Sequence, residues 1–246
     1  MKTFDFNLDK VNLEIFPNEI WQDYNVIFHG TSEYYSQKIE RNGFIPATAP
    51  FDLNDAIELV RVLQLPEIIH FDQSNTLGVT VSKSLNRYIC GIKSNYLRLS
   101  FAYLSYQCVF FSVGHSKGGQ ILGYIRKAKS IIQLAIQANQ AVQKIISEPI
   151  KRLFDLETNV ANANGVVYAV KLEAPYNGIK EEYGIIHSTV SISANNIIGR
   201  VILPNDINLN EFTKQAVKQK NHQKLVQTGH LGIILNRMKS NDDDER

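Results

Sequence analysis

Cysteine is scarce: of 246 residues only Cys90 and Cys108 carry a thiol. Two thiols cannot build the disulfide framework of a small secreted domain. Neither stands at metal-ligand spacing from a histidine, so both are expected reduced and packed, with no metal bound. An excess of one charge is missing as well. The chain has 26 basic and 24 acidic residues, a net charge of +2, which excludes a global field drawing it to nucleic acid or anionic lipid. Any such partner has to be met locally. Long apolar runs are absent too. No stretch reaches the roughly 18 apolar residues of a membrane span, and no apolar segment follows Lys2 as an export leader requires. The chain is therefore expected in the cytoplasm, with no membrane span; delivery to a host cytosol by a specialised secretion system would leave no mark in these features.

There is ample material for a core. Hydrophobic residues make up 44% and charged residues 20% of the chain, an ordinary globular balance. The length suits one domain, expected over residues 1–239 with a helical insertion at about 115–160 and a disordered tail at 240–246.

Hydrophobic patterning gives an α+β reading. The run at 26–29 predicts a strand, and Tyr35 to Asn42 a short helix closed by Gly43. Asp55 to Leu65 reads as a helix before Pro66. Leu77 to Ser82 reads as a strand entering a helix at about 84–94. The aromatic stretch Tyr96 to Val113 is expected to be buried. From Gln120 to Ser147, Ile121, Ile125, Ala128, Ile132, Ala135, Val142 and Ile146 recur at steps of three and four, with Asn139 filling the remaining position, which predicts one long amphipathic helix that Pro149 kinks or ends. It packs onto the domain or offers a face to a partner. Strands are expected at Gly165–Glu173, Glu182–His187 and Ile197–Leu203. The lysines Lys214, Lys218, Lys220 and Lys224 read as a solvated helix face.

The segment richest in chemistry is Phe28-His29-Gly30-Thr31-Ser32. A His at a strand's end can aim into a cleft, and a Gly beside it lets a ligand approach the backbone closely. Three more segments follow in order: Ile39 with Gly43-Phe44, then Gly78-Val79-Thr80-Val81-Ser82 leading to Tyr88, then Glu181-Glu182-Tyr183. Together, over residues 24–203, they resemble the ADP-ribosyltransferase superfamily in its His-Tyr-Glu branch, which holds diphtheria-toxin-like enzymes and the catalytic domains of poly(ADP-ribose) polymerases.

The resemblance implies an ADP-ribosyltransferase-like split β-sheet core, two small sheets around an NAD cleft, with NAD as co-substrate. It implies that His29 bonds the adenosine ribose, that the Gly30 backbone meets the nicotinamide carboxamide, and that Tyr88 stacks on the nicotinamide ring. Glu182 would bind the nicotinamide ribose as the catalytic acid, with Thr31 and Ser82 among the NAD contacts. Tyr34 and Tyr96 are substitutes for Tyr88, and Glu181 for Glu182; a shifted register would set His187 near the Glu position and leave a domain that binds a nucleotide without transferring it. The residue types suit the chemistry, because breaking the glycosidic bond of NAD builds positive charge on the ribose and a carboxylate stabilises it. ADP-ribose would pass to a macromolecular acceptor, protein more than nucleic acid, in the manner of a bacterial toxin or effector. The sequence departs from the family where Thr80-Val81 stands in place of an aromatic residue, which leaves a degenerate NAD-binding module as an alternative.

A second constellation belongs to another class. Val109 to Val113 followed by Gly114-His115-Ser116-Lys117-Gly118 fits the Gly-x-Ser-x-Gly elbow of α/β-hydrolases, a serine esterase or lipase with Ser116 as nucleophile. Asp206 with His222 or His230 would complete the triad.

Overall fold

The computed structural model describes residues 1–7, 13–69, 77–113, 117–173, 177–182, 184–208 and 210. In chain order these hold β1 (Lys2–Phe4), α1 (Asn18–Trp21), β2 (Val26–Ser32), α2 (Ser36–Asn42), α3 (Leu53–Leu63), α4 (Pro66–Ile69), α5 (Leu77–Lys93) and β3 (Leu99–Ala102). There follow α6 (Ser105–Ser112), α7 (Gln120–Ala138), α8 (Glu148–Asn162), β4 (Gly165–Lys171), β5 (Ile179–Glu182), β6 (Ile185–Ser188) and β7 (Ile197–Leu203). The chain is mixed α/β, and its described strands form a single mixed sheet in the order β1-β7-β4-β2-β3-β6-β5. Among them only β1 and β7 pair in parallel.

This corrects the expectation of two small sheets, yet the middle of the sheet is thin. β4 pairs with β2 along the whole of β2, from Val26 to Ser32. β3 is joined to β2 only by Phe28 opposite Ala102. Beyond that pair the two strands run on without pairing.

The hydrophobic pattern accounts for three cores. Alternation along β2, β4 and β7 buries Phe28, Val167 and Val201 on one face of the sheet, under α6 and the segment from Leu13 to Ile20. The other face buries Ile27, Tyr168, Phe101 and Ile186 beside Phe44. A third core is helical: Leu59 of α3, Leu85 of α5, Ile125 and Ile132 of α7 and Leu153 of α8 are packed together. The helical layer thus draws on residues 53–93 as much as on the expected insertion.

Several elements differ from the sequence reading. Leu77 to Ser82 is not a strand, because α5 is helical from Leu77 onward. The long helix stops at Ala138, and Asn139 turns the chain into a 3-10 segment over Gln140–Ile145. Pro149 does not kink a helix; it stands in the first turn of α8, where its missing N–H is not needed. Glu182–His187 is a hairpin, with Glu182 ending β5 and Gly184 in the turn at φ 78°. Tyr96 and Phe111 are not buried but 71% and 51% exposed. The face of α7 offered as a partner surface is spent inside the helical core. The lysine-rich stretch beyond 211 and the tail lie outside the described residues.

Candidate functional site

Where β2 and β3 part, a cavity of about 1530 Å³ opens. Its walls come from the end of β2, from α2 and the loop to Pro50, from α5, and from β3 with α6. The helical layer is fastened to the rim by the C-terminal end of α8. Ser32 Oγ donates to the Val160 carbonyl at 3.0 Å, and the Glu33 N–H to the Asn164 carbonyl at 2.8 Å. On the other side Tyr168, fully buried, pairs through its hydroxyl with Ser36 Oγ at 2.8 Å and Glu40 Oε1 at 3.1 Å, which fixes α2 over the sheet.

His29 lies at the parting of the strands. Its Nδ1 is 2.9 Å from the Ser100 carbonyl. A carbonyl can only accept, so Nδ1 carries the proton and Nε2 is left as an acceptor. Phe44 and Phe101 flank the ring at centroid distances of 4.9 and 5.3 Å. Burial holds the imidazole below its ordinary pKa, against a smaller upward pull from the Ser100 carbonyl, so His29 is neutral at physiological pH.

Gly30 and Thr31 line the same cavity. A Cβ on Gly30 would stand 2.2 Å from the Cys108 carbonyl oxygen and 2.6 Å from Ser112 Oγ, so α6 occupies the space that a side chain would need. The Cys108 thiol lies against the backbone amides of Gly30 and Ala102; burial keeps it protonated. Gly30 therefore has a packing reason on the α6 side, whatever its role toward a ligand.

Tyr88 reaches the cavity from α5, with the Phe51 ring 6.3 Å away, and burial pushes its hydroxyl up to about 12. Beside it stand Tyr34 and Tyr35, edge to face at 5.3 Å. The Tyr35 hydroxyl is buried without a hydrogen-bond partner, and burial raises its pKa, so it remains a donor. Ser82 is elsewhere: it is buried against α3, accepting from Gln64 Nε2 at 3.1 Å, and is not part of the lining. Tyr96 also stands outside the lining, with the Arg98 guanidinium 5.8 Å from its ring.

The two acidic neighbours fall on opposite faces of the sheet. Cross-strand register sets Tyr168 opposite His29 on one side of the seam, and Phe101, Ile186 and Glu181 in one row on the other. The His29–Phe101 ring contact joins these into a single face. Glu181 therefore shares the face of His29. Its Oε1 accepts from the Gly184 N–H at 3.3 Å and its Oε2 is buried. Tyr103, which lines the cavity, has its pKa raised first by burial and then by the neighbouring Glu181 carboxylate. Glu182 points to the other face, 46% exposed, 2.8 Å from Arg98 Nη1. That guanidinium holds the Glu182 carboxyl below its usual range. Neither carboxylate lines the cavity itself. His187 bonds Ser100 Oγ at 3.3 Å and so joins the β3 side of the seam.

The hydrolase elbow loses its context. The strand that should precede Ser116 is helix α6, and residues 114–116 with His222 and His230 lie outside the described residues. Lys117 is buried with its ammonium bonded to the Ala161 and Ala163 carbonyls and to Asn205 Oδ1, which reads as an anchor between the ends of α8 and β7. Among the described residues no cluster could hold a metal ion, and no helix is long and apolar enough to cross a membrane.

Sequence reasoning missed Tyr35, Tyr103, Arg98 and Ser100. Tyr35 was legible as the neighbour of Tyr34. Ser100 acts through its carbonyl, which no sequence pattern marks. Comparison with family models, curated proteins and solved structures finds no match.

Proposed function

We propose that the cleft binds NAD and that the protein is an ADP-ribosyltransferase. The observation that carries this reading is His29: a neutral imidazole at the parting of β2 and β3, with its Nε2 free to accept. An acceptor there suits a ribose hydroxyl, and Tyr88 across the cavity offers a ring face to a flat heterocycle. In the proposed reaction the bond between nicotinamide nitrogen and ribose C1′ breaks and nicotinamide leaves with the bonding pair. An acceptor nucleophile then bonds to C1′ and gives up its proton.

A carboxylate must face the positive charge that builds on the ribose. The resemblance names Glu182, which the sheet turns away from the face of His29; Glu181 shares that face and stands behind Tyr103 of the lining, which favours Glu181. The test is to incubate the protein, Glu181→Gln and Glu182→Gln with labelled NAD and a cell lysate. Nicotinamide release and label on macromolecules are followed together. Release lost in Glu181→Gln, roughly 100-fold or more, and kept in Glu182→Gln supports this assignment. The reverse result returns the role to Glu182. Equal turnover in all three overturns the transferase reading, and NAD binding without release makes the chain a nucleotide-binding module.

A further inference from the structure

The aromatic wall of the cavity has a composition that NAD chemistry alone does not require. Tyr34, at the start of the α2 region, is 49% exposed and lines the cavity mouth beside the Tyr35 ring. One helical turn further on, Lys38 is exposed at the same lining, and Arg87 precedes Tyr88 on α5. Among the described residues neither cation has a carboxylate to pair with there. The two carboxylates of the lining are committed elsewhere: Glu14 is buried and accepts from Ser105, and Asp23 is paired with Lys171. The wall therefore offers rings and two cations that no carboxylate pairs. That combination fits a ligand with flat bases, acceptor atoms and a run of phosphates.

Size favours a strand over a single nucleotide. The cavity of about 1530 Å³ exceeds the 300–1,000 Å³ typical of a small-molecule pocket, and its aromatic wall is open to solvent at Tyr34. We infer that this wall binds single-stranded nucleic acid, with bases against Tyr34 and Tyr35 and phosphates against Lys38 and Arg87. The net charge of only +2 does not oppose this, because the recognition is local. The inference rests on the transferase reading only in one respect, that it makes the strand the acceptor of ADP-ribose. Strand binding itself needs no NAD.

The test uses the whole chain and fluorescein-labelled single-stranded DNA and RNA of about a dozen nucleotides, with binding read by anisotropy at about 50 and 200 mM salt. The variants are Tyr34→Ala and Lys38→Glu with Arg87→Glu. Tyr34, Lys38 and Arg87 are exposed, so their variants keep the fold. The expected result is binding that weakens with salt, falls roughly tenfold in Tyr34→Ala and in the double variant, and resists competition by adenosine monophosphate. No strand binding, binding indifferent to both variants, or displacement by adenosine monophosphate at equal nucleotide concentration overturns it. A thermal shift with NAD is measured on the same samples. Strand binding without that shift keeps the subsite and sinks the transferase, and a shift without strand binding does the opposite.

Discussion

Gly30 was legible in the sequence as a place where something approaches the backbone closely, and the close neighbour is part of the chain itself. A methyl group on its Cα would fall 2.2 Å from the Cys108 carbonyl oxygen and 2.6 Å from Ser112 Oγ, so Gly30→Ala has to push α6 away from β2. The expected loss is about 1–3 kcal/mol, read as a lower urea midpoint without any ligand present; an unchanged midpoint would show that α6 yields freely. His29 was equally legible, but its proton was not, since that depends on a carbonyl from a strand distant in sequence. Its folded pKa lies below the ordinary 6.5, so the unfolded chain takes up a proton that the folded chain refuses. Stability therefore rises with pH between the folded pKa and about 6.5, and is lost as pH falls through that window. His29→Gln should flatten the melting temperature as pH falls below about 6.5. If the slope persists in the variant, another group is responsible. Protonation of Nε2 also removes the acceptor, so the proposed NAD binding should weaken only as pH falls to and below the lowered pKa of the folded state.

Among the elements, legibility followed the strength of the local signal. β2, α2, β4 and β7 stand close to where the apolar runs and glycines put them: β2 and β4 carry continuous apolar runs buried on both faces, and β7 buries alternate residues. α5 departs from its strand reading because Val79-Thr80-Val81 is a β-branched run; its helical period shows only further on, where Val81, Leu85 and Ile89 enter the helical core. Packing overrode propensity there. α6 gave no hydrophobic period, because Ser105 and Ser112 share its buried face with Tyr106, Cys108 and Val109 while the apolar Phe111 points outward. The break after α7 had a readable mark in Asn139, whose side chain accepts from the Ala141 N–H at 3.0 Å and so starts the next segment. Asn139→Ala should cost about 1 kcal/mol in denaturant unfolding, while the exposed Gln137→Ala on the same helix should cost almost nothing. Equal costs would mean that this cap does not hold the break in place.

At the scale of the molecule, the helical layer and the sheet make the cleft only together. α8 ends against Ser32 and Glu33 at the tip of β2, and Lys117 ties that same end of α8 to Asn205 beyond β7. α7 packs behind α8 and α5, so its apolar stripe supports the cavity wall and is not left over for a partner. Sequence periodicity found the stripe but could not say what covered it, because a core helix and a docking helix share one pattern. The two alternatives separate by substitution. Ile132 is fully buried in the helical core, whereas Leu134, two residues away, is 56% exposed. With a charge at position 132 inside the monomer, Ile132→Asp should unfold the helical layer and abolish NAD-dependent thermal stabilisation at every protein concentration. Leu134→Asp should change stability by no more than about 0.5 kcal/mol. Were the stripe a partner face, Ile132→Asp would leave a folded chain of smaller assembled size in gel filtration. Circular dichroism and gel filtration on the two variants would then show loss of assembly without loss of helix.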